Sequence, residues 1–298
     1  MRSPLATIIP LCSAFGYTFA AMMVKRASSG TRSPWRTAFV INLMMGILFQ
    51  PWLLLGGNAF SWSNLFHAAL AGAIFFVGQI FTFLALSRGD VSLTTPVLGT
   101  KVIFVALFSF LFSGESLTPR MLTATGITAV AMILLGAEGK ADRQRVIPSL
   151  LFGFLAAVAY AGTDIVQRIW VDDWGFGRFA PAMFATITLL SLCFIPLFEA
   201  PLKDLPKPNL AWAVAGGSTL ALQATGIATS IAFFHEVTLT NILYNTRGIW
   251  SIIVVWLVGH WFGNQERQLG KRIMIQRLIG ALLLLSALAL ALTPTAQP

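Results

Sequence analysis

The sequence predicts an all-α polytopic membrane protein, with ten transmembrane helices in two inverted five-helix repeats around a central cavity. Three observations carry this prediction. Hydrophobic residues make up 56% of the chain and charged residues only 10%, whereas soluble domains carry about 25% charge. The apolar residues fall into ten separate runs. The second half of the chain also repeats residues of the first half in the same order.

The ten apolar runs are separated by short loops that contain helix-breaking residues. Each run is close to the roughly 20 residues that a helix needs to cross a bilayer. The first run could instead be a signal peptide with Arg2 as its basic end, but its pattern around Tyr17 recurs around Tyr160, which favours a retained helix. The runs lie at residues 4–24, 35–56, 65–87, 92–113, 119–137, 147–167, 178–198, 210–233, 238–259 and 275–293.

The repeat is clearest between residues 90–113 and 236–259. A shift of 146 positions aligns Lys101 with Arg247, and it also aligns Asp90 with Glu236, Thr94 with Thr240 and Thr100 with Thr246. Shifts of 143 and 144 align Tyr17 with Tyr160 and Gln79 with Gln223. An odd number of helices per half forces the second half to insert upside down, which is the plan of many secondary transporters. We therefore divide the chain into a first repeat at 1–138, a polar linker at 139–146 and a second repeat at 147–298.

Lys101 and Arg247 each lie near the middle of an apolar run. A charge at that depth costs about 2.5–3.5 kcal/mol on insertion scales and is by default a sign of function. One interpretation is that both line a shared cavity and hold an acidic group, Arg through its planar fork and Lys as a point charge. The alternative is that each is paired with a buried acid. Asp164 is the one acid well inside a run and could neutralise only one of them.

Asp164 itself has two interpretations. It could take up and release protons, as intramembrane carboxylates of transporters do, or it could pair with Arg168, one helical turn further on. The other candidates are polar or aromatic residues within the runs, which could bind substrate or join helices. Trp250 in particular could stack on a planar substrate or only pack. The full substrate-binding prediction is Lys101, Arg247, Tyr17, Gln79, Thr94, Tyr160, Gln223, Tyr244, Asn245 and Trp250.

The loop cations predict the orientation in the membrane. Of the twenty Lys and Arg residues, fourteen lie on one face and four on the face that holds the termini, while Lys101 and Arg247 lie within the runs. Cytoplasmic loops carry the excess of positive charge, so both termini are expected outside a bacterial inner membrane. Orientation also explains the net charge of +9 better than nucleic-acid binding does.

The sequence contains no pattern that indicates catalysis or a bound cofactor. His67, His235 and His260 lack metal-ligand spacing, and Cys12 and Cys193 fall inside apolar runs. A Gly-rich phosphate loop and a nucleophile elbow are also missing from the sequence. We therefore expect no enzymatic activity, no cofactor and no metal. The expected partners are a small-molecule substrate and the lipid bilayer, with a monomer or homodimer as the assembly.

The segment from Thr94-Thr95-Pro96 through Phe112 to Gly114-Glu115-Ser116-Leu117-Thr118 resembles the drug/metabolite transporter (DMT) superfamily in its ten-helix, EamA-like form. The resemblance implies a basket of ten helices, a central cavity and alternating access between the halves. Branches of that superfamily that carry phosphorylated substrates also use intramembrane Lys and Arg. Many members are thought to have cytoplasmic termini, which is the reverse of the loop count. In the second half the proline is replaced by Ile242, and the Gly-Glu turn by His260-Trp261.

These observations together predict a secondary transporter that moves a small organic anion or zwitterionic metabolite by alternating access, with Lys101 and Arg247 binding the acidic group. Two other transport functions stay open: an amino acid or drug exporter whose cations are structural, and a flippase for an anionic lipid headgroup. A membrane scaffold without transport would leave the cost of two buried cations unexplained. Substrate identity, transport direction and coupling ion are not encoded in these patterns.

Overall fold

The computed structural model describes residues 3–29, 34–88, 97–114, 117–136, 143–258 and 271–292. Within these ranges the chain is helical and forms no strand, so the predicted all-α polytopic membrane fold is confirmed. The described residues form eleven α-helices, of which α9 and α10 together occupy the ninth predicted run. They are α1 Pro4–Ala27, α2 Trp35–Phe49, α3 Trp62–Arg88, α4 Lys101–Phe108, α5 Pro119–Gly136, α6 Arg143–Trp174, α7 Phe176–Leu190, α8 Lys207–Phe234, α9 Val237–Tyr244, α10 Arg247–Val258 and α11 Lys271–Leu292.

Several helices reach membrane-spanning length only through a change of helix type. Helix α2 continues as the 3₁₀ helix Gln50–Leu55, and α7 continues as the 3₁₀ helix Ser191–Leu197. Pro51 and Pro196 lie in these extensions and lack the N–H that an α-helical bond would use. Helix α4 runs into a π-helical turn at Ser109–Ser113.

Six helical segments are long and apolar enough to cross a membrane, and two further apolar helices, Val97–Ser113 and Pro119–Leu135, are shorter. Residues 92–96 of the predicted fourth run lie outside the described residues. Helix α6 begins at Arg143, so the end of the predicted linker, 143–146, is helical. The six long segments are Leu5–Ala27, Trp35–Leu55, Trp62–Ala85, Leu150–Trp174, Phe176–Leu197 and Ile275–Leu292.

Most contacts between two helices have a counterpart in which each helix is replaced by the equivalent helix of the other half of the chain. Helix α3 packs along α6 as α1 packs along α8, and α3 packs on α7 as α8 packs on α2. Helices α5 and α11 pack on each other, and so do α2 and α7. These are the contacts that an inverted repeat would produce, although the domain boundaries given above stay a prediction.

Small residues allow the closest of these approaches. A Cβ atom on Gly72 of α3 would lie 2.5 Å from the carbonyl oxygen of Met183 on α7. A Cβ atom on Gly217 of α8 would lie 3.0 Å from the Cα atom of Ile41 on α2. Close backbone approach is how transmembrane helices gain van der Waals contact, because lipid offers no hydrophobic driving force between them. A larger side chain at either glycine would push its helix pair apart.

Candidate functional site

Both intramembrane cations follow a matched interruption of their helix. The N–H of Thr100 donates to the Val97 carbonyl at 3.1 Å and its hydroxyl donates to the same oxygen at 2.6 Å. The N–H and hydroxyl of Thr246 donate to the Leu243 carbonyl at 3.1 and 2.7 Å. Threonine hydroxyls compete in this way with regular helical bonds. Regular α-helix starts again directly afterwards, at the two cations.

The second interruption corrects the expectation of one continuous ninth helix. The chain leaves α9 at Tyr244, turns at residues 245–246 and enters α10 at Arg247. This tight turn brings the Tyr244 ring and the Arg247 guanidinium together. Transporters often place such helix interruptions where they bind substrate or ions.

The two interruptions touch each other. The side-chain amide of Asn245 donates to the carbonyl of Gly99 at 3.3 Å, across 146 positions of sequence. The hydroxyl of Thr188 donates to the carbonyl of Asn42 at 2.9 Å, again across 146 positions. This shift also relates Lys101 to Arg247. The two turns that precede the cations therefore lie side by side.

Lys101 is ion-paired with Asp164. Its Nζ atom lies 2.7 Å from Oδ2 of Asp164, and both side chains are largely buried. The side-chain amide of Asn241 donates to the same oxygen at 2.8 Å. One charge is thus neutralised across α4 and α6, with a hydrogen bond from α9.

Of the two pairings considered for Asp164, the one with an intramembrane cation is found and the one with Arg168 is not. Arg168 instead lies 3.7 Å from the carboxylate of Asp172, one turn further along α6 and 57% exposed. Asp164 is only 7% exposed, and a buried carboxylate needs a close and similarly buried cation. Lys101 supplies that cation from another helix, which sequence spacing along α6 could not reveal.

Arg247 has a different environment, built from aromatic rings. Its Cζ atom lies 4.7 Å from the ring centre of Tyr17 and 4.5 Å from that of Tyr244. The two rings are nearly perpendicular and their centres are 5.9 Å apart. If the two rings lay on opposite faces of the guanidinium, their centres would be separated by nearly the sum of the two Cζ distances, which is well above the observed 5.9 Å. The rings therefore cover adjacent sides of the guanidinium.

Polar groups of the same aromatic residues surround the guanidinium. The hydroxyls of Tyr244 and Tyr160 both lie within electrostatic reach of the guanidinium. Tyr17, Tyr160 and Tyr244 are the only tyrosines in the chain. No carboxylate in the described part of the chain lies within 4.0 Å of Arg247. The guanidinium is thus half-buried, with aromatic neighbours and no carboxylate partner among the described residues.

The remaining predicted residues divide into three groups. Gln79 exchanges two hydrogen bonds with Asn42, at 2.9 and 3.0 Å, and Trp250 packs edge-on against Phe15 with ring centres 5.2 Å apart. The carbonyl oxygen of the Gln223 side chain is buried without a hydrogen-bond donor among the described residues. Thr94 lies outside the described residues.

Thr82 is a neighbour of the site that the sequence did not single out. Its hydroxyl lies 3.1 Å from the hydroxyl of Tyr160. Thr82 also bonds the carbonyl of Gly78, as many helical threonines do, so its sequence environment carries no distinguishing signal. The Thr100–Thr246 match, in contrast, was visible in the repeat alignment, but its effect on the backbone was not.

A sequence model of the EamA-like transporter family matches residues 5–137. A solved crystal structure of a protein shares the fold with a TM-score of 0.72 over 96% of this chain and 96% of that chain. Its sequence is only 18% identical, so that likeness shows the fold alone. No curated protein matches the chain. The matched family consists of membrane transporters of the drug/metabolite type, and the match covers the first predicted repeat.

Proposed function

We propose that this chain, whose residues 5–137 belong to the EamA-like transporter family, is a secondary transporter for a small organic anion or an acidic zwitterion. Arg247 binds the acidic group, and Tyr17 and Tyr244 orient the guanidinium. The partly exposed Tyr160 and Gln223 offer further hydrogen bonds to the same space. Asn245 holds the turn that presents Arg247.

The observation that carries the proposal is that Arg247 has no carboxylate within 4.0 Å among the described residues. Cation–π contacts are worth about 0.5–2 kcal/mol, which is less than the several kcal/mol that a charge removed from water without a partner costs. A bound carboxylate or phosphate would accept two parallel hydrogen bonds from the guanidinium. Binding of an anion would then offset the cost of removing this charge from water.

The role of Lys101 depends on the protonation of its partner, Asp164. The described groups near this position carry two positive charges, on Lys101 and Arg247, and one negative charge, on Asp164, so the site has one net positive charge. Tyr244 is the other titratable group within electrostatic reach of Asp164. If Asp164 takes up a proton, Lys101 becomes available as a second cation. Proton and anion binding then strengthen each other, because linkage between two sites is reciprocal.

The test is ligand-dependent thermal stabilisation of the purified protein, followed by calorimetry of the compounds that stabilise it. A ligand that binds only the native state raises apparent stability. The panel contains carboxylates, phosphates, zwitterions and uncharged analogues, assayed against wild type, Arg247→Gln and Arg168→Gln as a control for lost charge. We expect acidic compounds to stabilise wild type and Arg168→Gln but not Arg247→Gln. Equal stabilisation of all three proteins would contradict an anion site at Arg247.

Proton coupling has a separate readout. Calorimetry in buffers of different ionisation enthalpy measures the protons taken up with each anion. We expect uptake in wild type, and no uptake with tighter binding of dianions in Asp164→Asn, which keeps Lys101 available. Proton uptake that is the same in Asp164→Asn would assign the coupling to another group.

An amino acid or drug exporter is the second candidate function. The ion pair of Lys101 with Asp164 favours it, because one of the two cations already has a structural partner. The aromatic corner around Arg247 would then pack an apolar or cationic substrate. Stabilisation by neutral or cationic compounds in wild type and Arg247→Gln alike would select this function. Stabilisation by lipids with anionic headgroups that is lost in Arg247→Gln would select a flippase.

We further propose that both termini face outward across a bacterial inner membrane, as the loop cations suggest. Single cysteines placed at residue 3 and at residue 142, in a background without Cys12 and Cys193, test this. A membrane-impermeant thiol reagent added to intact cells should label the first and not the second. The reverse labelling would place the termini in the cytoplasm.

A further inference from the structure

A pocket lies between the end of α2 and the start of α7, away from the central cations. Its volume is about 420 Å³. Helix α2 and its extension form one wall, and the α6–α7 turn and the first two turns of α7 form the other. The lining residues are Gln50, Leu53, Gly56, Trp174, Arg178, Pro181, Ala182 and Ala185.

Two groups in this lining can donate hydrogen bonds to an anion. Trp174 is only 5% exposed, and its indole N–H is buried without an acceptor in the described part of the chain. Arg178 has no carboxylate within 4.0 Å among the same residues. The nearby carboxylate of Asp172 faces Arg168 and His235 instead. A buried donor left unsatisfied costs about 1–3 kcal/mol, so a ligand that accepts from Trp174 would remove a real penalty.

The pocket lies at the depth of lipid headgroups. Trp174 ends the apolar segment Leu150–Trp174, and the next one begins at Phe176. Tryptophan at such a segment end is typical of the membrane–water interface, and arginine near a helix end reaches toward headgroups. Leu54, beside the pocket wall, is 90% exposed, as expected for a surface covered by lipid.

An apolar surface, called the α2–α7 groove below, continues from the pocket along both helices. On α2, Ile47 lies one turn before Gln50 on the same face and is 52% exposed. On α7, Leu189 continues the face of Ala182 and Ala185 and is 65% exposed. Because alanine side chains are small and leucine and isoleucine side chains are apolar, a hydrocarbon chain can pack against this surface.

We propose that this pocket binds an anionic phospholipid, whose phosphate accepts hydrogen bonds from Arg178 and Trp174 and whose acyl chain lies along the α2–α7 groove. Charge complementarity, an unsatisfied buried donor and an apolar exit at one place select a lipid over a soluble anion. The lipid is a bound component of the fold at a site separate from Arg247, and it is not the transported substrate.

A second pocket of about 590 Å³ at the other end of the α2–α7 pair provides an internal comparison. It is lined by Phe39, Ile195, Phe198, Glu199, Ala200, Pro201 and Leu202. Its one charged lining residue is acidic, so the same argument predicts no anionic headgroup there.

Native mass spectrometry of the full chain, released from detergent with added phosphatidylglycerol or phosphatidylcholine, tests the proposal. We expect Arg178→Gln to weaken phosphatidylglycerol binding about fivefold, the contribution of one basic residue at an anionic surface. Trp174→Phe keeps an aromatic ring but removes the N–H donor and part of the indole volume, and it should weaken binding by a smaller factor. Arg120→Gln, which removes an exposed arginine, and Glu199→Gln should leave binding unchanged.

Several outcomes would overturn the proposal. Equal losses in Arg178→Gln and Arg120→Gln would mean general surface attraction. Equal binding of phosphatidylglycerol and phosphatidylcholine would mean that the pocket does not recognise charge. Loss of bound phosphatidylglycerol on addition of inorganic phosphate alone would mean that the site holds a soluble anion. Dimers that disappear in Arg178→Gln would assign the groove to a second copy of the chain. Thermal melting of each variant without lipid separates these outcomes from misfolding.

Discussion

The Lys101 and Arg247 regions share a backbone and differ in chemistry. Both cations follow a threonine that closes a tight turn onto the carbonyl three residues earlier, with hydroxyl-to-carbonyl distances of 2.6 and 2.7 Å. Lys101 then meets a carboxylate, whereas Arg247 meets two tyrosine rings. The difference teaches that two matched turns can present one neutralised cation and one cation without a carboxylate partner among the described residues. Charge pairing, not the position of the turn, distinguishes Lys101 from Arg247.

Breaking the ion pair should have the largest effect on stability. Lys101→Met leaves Asp164 buried and unpaired, which costs about 3–5 kcal/mol, and it should lower the thermal midpoint clearly. Arg247→Gln removes a charge that has no carboxylate partner among the described residues, so without ligand it should leave the midpoint unchanged or raise it. Scanning fluorimetry measures both. The double variant Lys101→Met/Asp164→Asn should recover most of the lost stability. Equal destabilisation by Lys101→Met and Arg247→Gln would contradict the difference in charge pairing between the two cations.

Substrate binding should respond in the opposite order. Removing the partner of a buried, hydrogen-bonded anion costs about 2–5 kcal/mol, so Arg247→Gln should weaken anion affinity by a factor of 30 or more. Arg247→Lys keeps the charge but loses the planar fork, and it should fall in between. Calorimetry with the best ligand of the panel measures each affinity. Full affinity in Arg247→Gln would move the anion site elsewhere.

The aromatic corner should contribute less than the charge it surrounds. Tyr17→Leu removes one cation–π contact, worth about 0.5–2 kcal/mol, and should weaken anion binding up to about thirtyfold by releasing the guanidinium. Tyr17→Phe keeps the ring and serves as the matched control. A loss in Tyr17→Phe as large as in Tyr17→Leu would show that the hydroxyl, not the ring, matters. The same calorimetric assay applies.

The shared turns should show the smallest and most equal effects. Thr100→Val and Thr246→Val each remove one side-chain hydrogen bond, with a net value of about 0.5–1.5 kcal/mol, while keeping a β-branched side chain. We expect similar small shifts of the thermal midpoint in both variants. A much larger shift in one of them would mean that the two backbones are less alike in energy than in geometry.

The sequence predicted the fold better than the site, because the two depend on information at different distances along the chain. Apolar runs are local, so helices such as α3 and α11 lie close to their predicted positions. The pairing of Asp164 depends on how α4 packs against α6, and spacing along α6 suggested Arg168 instead. No proline in the sequence indicates the turn before Arg247. Only its match with Thr100 carried a signal, and hydropathy does not detect hydroxyl-to-carbonyl bonds.

The hydrogen bond from Asn245 to Gly99 has a consequence for the conformational equilibrium. In a transporter built from inverted repeats, the two halves exchange shapes when the opening moves to the other side of the membrane. The exchanged counterpart of this bond would have to come from a side chain at position 99, and glycine has none. The resting protein should therefore favour one direction of opening. If the chain works in this way, Asn245→Gly, which removes the bond, should bring the inward-open and outward-open populations closer together, whereas any side chain at position 99 would first have to displace Met132, 2.7 Å from its Cβ.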